Sequence, residues 1–440
     1  MGSLVAASAA SAHAEILVRW DREQIPSRDS LGVATVVVPA AKRAAVRQAI
    51  AQGYDVFVEV DAAALASIVL PARGVSGVIV KGTPSAASLA ALRTRLDARG
   101  LSLRVLDERG KWPHIRSNMV TNNDGVLQIS SRTQQPWVEN NAALMRIAQV
   151  AKPGTMPLLT YAWQPTTVAD ADEGPALDDY LVAIAEAGSF GADLVLPLHE
   201  RFQNDLLLGT PRARADWTAI RAAIAFHAWD LPARYRPTAN IGVVAADPMR
   251  WFEVMNLLAR HNLSFEPLGA SIGTRDLDAF DLLIVLDALK GRDVETAAAF
   301  ARKGGTVVLV GVKGVSGDAG KGRIIEHDPV SNPDTFALET RQLLGRDRRV
   351  IQIWNGITVL AEHFTSPDRR TVLLTLVNYS HQALPVQLRV PGTFSSVHYE
   401  SPEDAPALLP YQHREGFTEF VVPALHVGGR VFLTGETRTK

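Results

Sequence analysis

The strongest constraint on how this chain folds is an alternation, sustained over its first half, of short β-branched runs with stretches of helical period. Eight runs stand out: residues 16–21 (ILVRWD), 34–39 (ATVVVP), 56–61 (VFVEVD), 77–81 (GVIVK), 102–107 (SLRVLD), 126–130 (VLQIS), 157–163 (PLLTYAW) and 193–200 (DLVLPLHE). Helical patterns lie between most of them, as at 41–52 and 88–98, and close at Gly53 and Gly100, where a left-handed terminus favours glycine. Such repeats produce parallel strands crossed by helices. Eight units in about 210 residues predict an α/β fold of the compact (β/α)8 TIM-barrel kind, near its lower size limit. The competing architecture is an open doubly wound sheet. That sheet would carry a glycine-rich first turn, whereas ILVRWD runs on into Arg22-Glu23-Gln24.

A chain of 440 residues is too long for one core, and the pattern changes twice. A proline-bearing polar link at 231–239 (LPARYRPTA) precedes strand runs at 240–245, 281–286 and 305–310, with helical patterns at 251–261 and 294–302. This spacing predicts a smaller α/β module of flavodoxin-like type. A glycine-rich loop at 311–322 and a punctuated stretch at 328–334 (DPVSNPD) follow. From residue 350 no helical period survives, and turns separate short strand patterns at 350–354, 357–363, 371–378, 386–390, 396–399, 418–422 and 430–433, as in an antiparallel β-sandwich. The expected division is a leader at 1–14, a barrel at 15–232, an α/β domain at 238–345 and a sandwich at 349–436.

Composition removes several function classes. With 45 basic against 46 acidic residues there is no overall field to attract nucleic acid. Cysteine is absent, which excludes thiol catalysis, disulfides, thiolate zinc sites and Fe–S clusters. No motif calls for a cofactor. The small apolar stretch MGSLVAASAASAHA ends in Ala12-His13-Ala14, which fits the cleavage rule of an export signal, although no Lys or Arg precedes it; a periplasmic or secreted protein is expected. No other apolar run reaches the length of a membrane span.

Barrel enzymes work at the carboxyl ends of their strands, where the loops converge over one face. At those ends the sequence places Arg19, Trp20 and Asp21; Glu59; Lys81; Asp107 and Glu108; Arg132; Tyr161 and Trp163; and His199 with Glu200. Carboxylates ringing one cavity suit glycosidic hydrolysis, which needs one carboxyl group as acid and another as base or nucleophile. The pair expected from the runs is Asp107 with Glu200, with Glu59 and Asp21 as the other candidates. Trp20, Trp112, Tyr161 and Trp163 would offer flat ring faces to a sugar. Two polar-aromatic loops, 111–118 (KWPHIRSN) and 130–141 (SSRTQQPWVENN), would cover the pocket and bring in His114, Arg132 and Glu139. Arg19, Lys81, Glu108 and His199 complete the expected substrate contacts. Loops of this length in a small barrel are more often functional than decorative.

Other signals fail on inspection. In GDAGKG (317–322), Lys321 is followed by Gly322 where a phosphate loop requires Ser or Thr. Residues 314–317 (GVSG) lack the spacing of a nucleophile elbow. The histidines form no H-x-x-x-H pair, so His114 and His199 read as hydrogen-bonding residues before metal ligands.

The order of modules, with LLTLVNYS (373–380) and FTEFVVP (417–423) in the tail, resembles the plan of family-42-type β-galactosidases and related barrel glycosidases. That plan runs barrel, glutamine-amidotransferase-like α/β domain, C-terminal sandwich. The resemblance implies a carbohydrate substrate, no cofactor, and a middle domain with a structural or homo-oligomer-forming role, since the amidotransferase thiol is missing. In that clan the catalytic glutamates follow the fourth and seventh strands. Here those ends carry Lys81 and Tyr161-Ala162-Trp163, so the clan's catalytic residues do not carry over. Either hydrolysis uses carboxylates on other strands, or the barrel binds sugar without cleaving it.

Overall fold

The computed structural model describes residues 14–71, 73–116, 120–123, 126–129, 137–152, 155–165, 168–228, 234–315 and 319–435. Seven of the eight runs close into a parallel barrel: β1 (Ile16–Arg19), β2 (Thr35–Pro39), β3 (Asp55–Asp61), β4 (Val75–Lys81), β5 (Ser102–Asp107), β6 (Leu158–Thr160) and β7 (Asp193–Pro197). Their order around the barrel is β1-β7-β6-β5-β4-β3-β2.

The run at 126–130 corrects the eight-stranded expectation. Val126–Ile129 pairs antiparallel with Val120–Asn123 in a separate hairpin. A parallel neighbour needs a crossover of a dozen or more residues, usually helical. Among the described residues no helix lies between β5 and that hairpin; the helix Ala142–Ala151 comes after it and leads into β6. β5 is thus followed in the barrel by β6, and the described hairpin between them lies on an excursion outside the barrel sheet.

Strand alternation sorts the barrel side chains into layers. Leu17, Val37, Phe57, Ile79, Leu106, Leu158 and Val195, one from each strand, pack together in the lumen. Their neighbours Val18, Val36, Val58, Val78 and Leu194 join the outer core beneath the helices. Burying a side chain such as Ile79 in that plug contributes about 1.5–3 kcal/mol. Two residues toward the amino ends, the same face carries Glu15, Arg104 and Asp193, with Arg104 paired to both carboxylates. Burial pushes the Asp193 carboxyl up to about 6, against the pull of Arg104. Two residues toward the carboxyl ends, it carries Arg19, Glu59, Lys81 and Glu108. The apolar layer is thus closed off by charge at both rims.

Downstream, five parallel strands pair in the order Phe265–Gly269, Ile241–Val244, Leu282–Val285, Thr306–Val310, Arg323–His327. In chain order this is 2-1-3-4-5, a doubly wound arrangement. Alternate residues feed opposite cores: Leu282 and Ile284 face the helices Phe252–Arg260 and Pro333–Leu344, while Leu283 and Val285 face the helix Arg292–Lys303. The two strands absent from the sequence reading are the edges. FEPLG contains a proline, tolerated at an edge where its missing N–H is not needed, and RIIEH has polar ends.

The loop excluded as a phosphate site has a packing role at its last glycine. A Cβ on Gly322 would lie 2.2 Å from the backbone oxygens of both Ala301 and Gly305, and neither atom belongs to a side chain that could swing away. Gly322→Ala is expected to destabilise the protein by about 1–3 kcal/mol through overpacking. An unchanged urea midpoint for that variant would contradict the close approach.

Beyond residue 350 two antiparallel sheets share one core. One is built on Val359–Thr365, Thr371–Asn378, Gly428–Thr434 and Ser396–Glu400, the other on Gln352–Trp354, Leu384–Pro391, Phe417–Leu425 and Tyr411–Arg414. Arg236–Pro237, from the link after the barrel, adds to the edge of the first sheet. The three regions are welded together. The helix Leu177–Phe190 packs on the first sheet, and Leu360, Val377, Tyr379 and Val427 enter the outer core of the barrel. The Asn262 amide clamps the same sheet, Nδ2 donating to the Val359 carbonyl at 3.0 Å and Oδ1 accepting from the Ala361 N–H at 2.7 Å. No helix among the described residues is long and apolar enough to cross a membrane.

Candidate functional site at the barrel mouth

The lumen-facing positions at the carboxyl ends of β1 and β3 bring three candidate residues together on one guanidinium. Arg19 Nε donates to Glu59 Oε2 at 2.8 Å and Nη2 to Oε1 at 2.9 Å. The third nitrogen, Nη1, donates to Asp21 Oδ2 at 2.5 Å. Between these strands, the lumen-facing residue of β2 is Pro39, in register with Glu59; its short ring leaves room for Arg19 to reach across. Glu59 is buried and Asp21 about one-third exposed. Burial pushes the Asp21 carboxyl up, Arg19 pulls it back only in part, and the Glu59 charge adds to the rise, so it stays above the ordinary aspartate value. On the next strands, Lys81 Nζ lies 3.6 Å from Glu108 Oε1, and Glu108 Oε2 accepts from the Gly82 N–H at 2.8 Å. Both side chains are partly exposed and face the same rim.

The pair expected first does not assemble there. Asp107 is level with Leu159, just as Leu106 is level with Leu158. The two leucines at 106 and 158 are lumen residues, so alternation turns Asp107 to the helix side. There it is held by Arg109, through Nε at 2.9 Å and Nη2 at 2.5 Å. Burial acts to raise its pKa, but the hydrogen bonds and charge of Arg109 outweigh it, and the carboxyl sits below its ordinary value. Glu200 lies three residues past the end of β7, exposed in the first turn of the helix Glu200–Leu208 and paired with Arg22. A carboxylate in that position is stabilised by the helix dipole.

Several expected sugar contacts are also structural. Trp20 has outward parity and no exposure, and its indole N–H donates to the Gln24 carbonyl at 2.7 Å. His199 caps the helix Glu200–Leu208: Nδ1 accepts from the Arg201 N–H and Nε2 contacts the Ala171 carbonyl at 3.1 Å. That pattern assigns the proton to Nε2. His114 sits on a short strand paired with Trp137–Glu139 and uses Nδ1 on the Trp112 carbonyl at 2.8 Å. Glu139 is buried, 3.2 Å from Lys111 Nζ. Arg132 lies outside the described residues, as do residues 1–13 of the expected leader.

Trp112, Tyr161 and Trp163 do meet, but against one another. Trp112 contacts Trp163 and Tyr180 edge-on at 5.5 Å and Tyr161 at 6.4 Å, so Trp112 and Tyr161 are buried. Edge-to-face packing of this kind fills a core and leaves Trp112 and Tyr161 no open ring face for a sugar, while Trp163 stays partly exposed.

One ionisable group in the same region was absent from the expected set. Glu186, fully buried on the helix Leu177–Phe190, accepts from the Asn141 N–H at 2.8 Å, the Asn141 amide at 2.6 Å and the Tyr379 hydroxyl at 2.8 Å. It ties the excursion after β5 to the terminal sheet. Burial pushes its carboxyl up to about 7, only partly offset by these donors. A carboxyl titrating higher in the folded than in the unfolded state holds a proton that the unfolded chain has lost, so its stabilising effect is present at low pH and fades as pH rises toward 7. The span corresponds to about 3 kcal/mol. Glu186→Gln removes that titration. The decline in melting temperature from pH 5 to pH 8 is therefore expected to be smaller in the variant than in wild type. The two profiles must be subtracted, because His363, driven down to about 4 by burial, contributes the opposite slope. Parallel profiles would rule out a protonated Glu186.

Neither a family model nor a curated relative matches the sequence. The structure is similar to α-L-fucosidase isoenzyme 2 from Paenibacillus thiaminolyticus, with a TM-score of 0.59 at 11% identity over 96% of this chain and 100% of the other. It is also similar to Gan42B, a GH42 β-galactosidase from G. stearothermophilus, at a TM-score of 0.49 and 8% identity over 97% and 98% of the two chains. A rhamnosidase from Novosphingobium sp. PP1Y gives a TM-score of 0.46 and 14% identity over 91% of this chain and 39% of the other. The chain thus shares its barrel architecture with the α-L-fucosidase, and the likeness is one of fold.

Proposed function

We propose that this protein is a glycoside hydrolase whose acid and nucleophile are Asp21 and Glu59, held on Arg19 at the lumen-facing ends of β1 and β3. The observation that carries the reading is the shared guanidinium, which brings together two carboxyl groups in unlike settings. Asp21, with its raised pKa, is suited to donate a proton to the glycosidic oxygen. Glu59, its two oxygens on two N–H groups of Arg19, is suited to attack the anomeric carbon. Divergent settings for two neighbouring carboxyls are the signature of an acid/base division of labour. Two carboxyls sharing one guanidinium are close together, which fits the separation of about 5–5.5 Å in retaining enzymes better than the wider inverting spacing. Lys81 and Glu108 would contact the sugar from the adjoining arc of the rim, on the strands next to β3.

A second reading, sugar binding without turnover, is favoured by one specific observation: Asp21, Glu59 and Glu108 each have a cation partner. Turnover of an array of 4-nitrophenyl glycosides, with the α-L-fucoside among them, followed by calorimetric titration of the same sugars, separates the two. Hydrolysis supports the first reading; binding with no release of nitrophenol supports the second. The three-module division and export from the cytoplasm belong to this proposal, with the doubly wound region as an amidotransferase-like domain lacking the thiol.

A further inference from the structure

Far along the chain from the barrel mouth, the last turn of the helix Pro333–Leu344, the turn that follows it and the strand Gln352–Trp354 enclose a cavity of about 440 Å³. Arg341, Arg346 and Arg349 line it together with Gln342, Gln352 and Trp354, and no carboxylate is among the lining residues. A smaller adjoining cavity shares Arg341, Arg349 and Gln352.

Arginines near a helix carboxyl terminus are often there to satisfy its free carbonyls. That accounts for Arg348, which turns back onto Leu343 and Leu344 at 2.8 and 2.9 Å. It accounts for Arg349 only through Nε, on the Gly345 carbonyl at 3.1 Å. For Arg341 and Arg346 no ion pair forms among the described residues. The neighbouring Arg389, by contrast, is neutralised by Glu415 and Glu419 at 3.2 and 3.6 Å. Burial, then the charges of Arg341, Arg346 and Arg389, push the Arg349 guanidinium down to about 10. Such mutual repulsion is a standing cost that a bound anion would relieve. Trp354, 40% exposed, places an open indole beside these charges, and the Gln342 amide adds a neutral donor and acceptor, while the buried Gln352 amide is held on the Arg346 carbonyl at 2.7 Å.

We propose that this cavity binds an acidic saccharide, a sugar unit whose carboxylate or sulfate is taken by Arg341, Arg346 and Arg349 while its ring packs on Trp354. Planar guanidinium forks match oxyanions of this kind, and an exposed indole beside an amide suits a sugar ring with hydroxyls. The anionic half of the assignment stands on the arginine cluster alone. The saccharide half rests on the carbohydrate reading of the barrel.

The test is calorimetric titration of the full chain with a galacturonate tetrasaccharide, a sulfated tetrasaccharide, a neutral cellotetraose and inorganic sulfate. At least one acidic tetrasaccharide is expected to bind at least tenfold more tightly than cellotetraose and than sulfate, with affinity falling as salt rises. Arg346→Gln, at an exposed position, and Trp354→Ala should each weaken that binding at least fivefold. Glu59→Gln should leave it unchanged, so a failure of the barrel reading is distinguishable from a failure here. Equal affinity for the neutral and acidic sugars, no effect of Arg346→Gln, or sulfate binding as tightly as the tetrasaccharides would each overturn the proposal.

Discussion

Glu59→Gln is expected to lower kcat on aryl glycosides by at least a hundredfold, within the range of about 10²–10⁴ associated with losing a group that moves protons or attacks in the transition state. KM should stay within a few fold, because the amide keeps the size of the side chain and one oxygen to accept from Arg19. Asp21→Asn is expected to behave differently. Its deficit should be small for leaving groups that need no proton, such as 4-nitrophenolate, and large for an alkyl or sugar leaving group. The pH profile supplies a second readout. Because burial holds the Asp21 carboxyl above its ordinary value, its proton is present at low pH and lost as pH rises, so the alkaline limb of kcat/KM belongs to Asp21 and should vanish in Asp21→Asn. Proton NMR of the first product is expected to show a retained anomeric configuration. Full turnover in both variants, with melting temperatures matching wild type, would remove Asp21 and Glu59 from the reaction.

How far the sequence led is clearest on β5. SLRVLD announced a strand, and the strand is there, but its apolar residues at 103, 105 and 106 leave parity undecided. Neighbouring strands settle it by pairing Leu158 with Leu106, a contact between segments some fifty residues apart that no local pattern encodes. Once Leu106 is in the lumen, Asp107 must face outward. VFVEVD was easier, since Glu59 shares its face with Phe57 and the pattern can be continued to the rim. The same limit explains the eight expected strands: 126–130 has the composition of a strand and Val126–Ile129 forms one, but pairing partners depend on what connects them, and among the described residues no helix stands ready to carry it back to the barrel.

Two other features had signals in the sequence that pointed past the barrel mouth. Glu186 is the one charge in LVAIAEAGSF, an otherwise apolar stretch, and a helix apolar on all sides is a buried one; its charge therefore has to be satisfied inside. The crowding of arginine in RQLLGRDRR (341–349) was equally plain. What could not be read there was which guanidinium would turn back to the helix end and which would face a cavity, because that depends on where the strand Gln352–Trp354 lies, and its pairing with the distant strand Leu384–Pro391 fixes that.

Arg146→Met is expected to cost about 3–5 kcal/mol of stability, the range for stripping one partner from a buried ion pair. Arg146 on the helix Ala142–Ala151 pairs with Glu362 on the strand Val359–Thr365, and both are buried. Burial already pushes the Glu362 carboxyl above its ordinary value, with Arg146 as the main force opposing it. Without the guanidinium the carboxylate can survive inside only by taking up a proton, so the variant's deficit should be smaller at pH 5 and grow toward neutrality. The pair joins a barrel helix to the terminal sheet, close to the Asn262 clamp on Val359 and Ala361, so the loss should appear in the main urea transition and not as an early local one. Arg146→Met combined with Glu362→Leu should recover most of the loss, since replacing a buried pair by apolar groups of similar volume is often neutral or stabilising. A cycle of the two single variants and the double variant isolates the coupling. If each single substitution costs less than about 1 kcal/mol, as at an exposed pair, the contact between helix and sheet is hydrated, and the barrel is joined to the terminal sheet by its apolar contacts and by hydrogen bonds such as Tyr379 to Glu186.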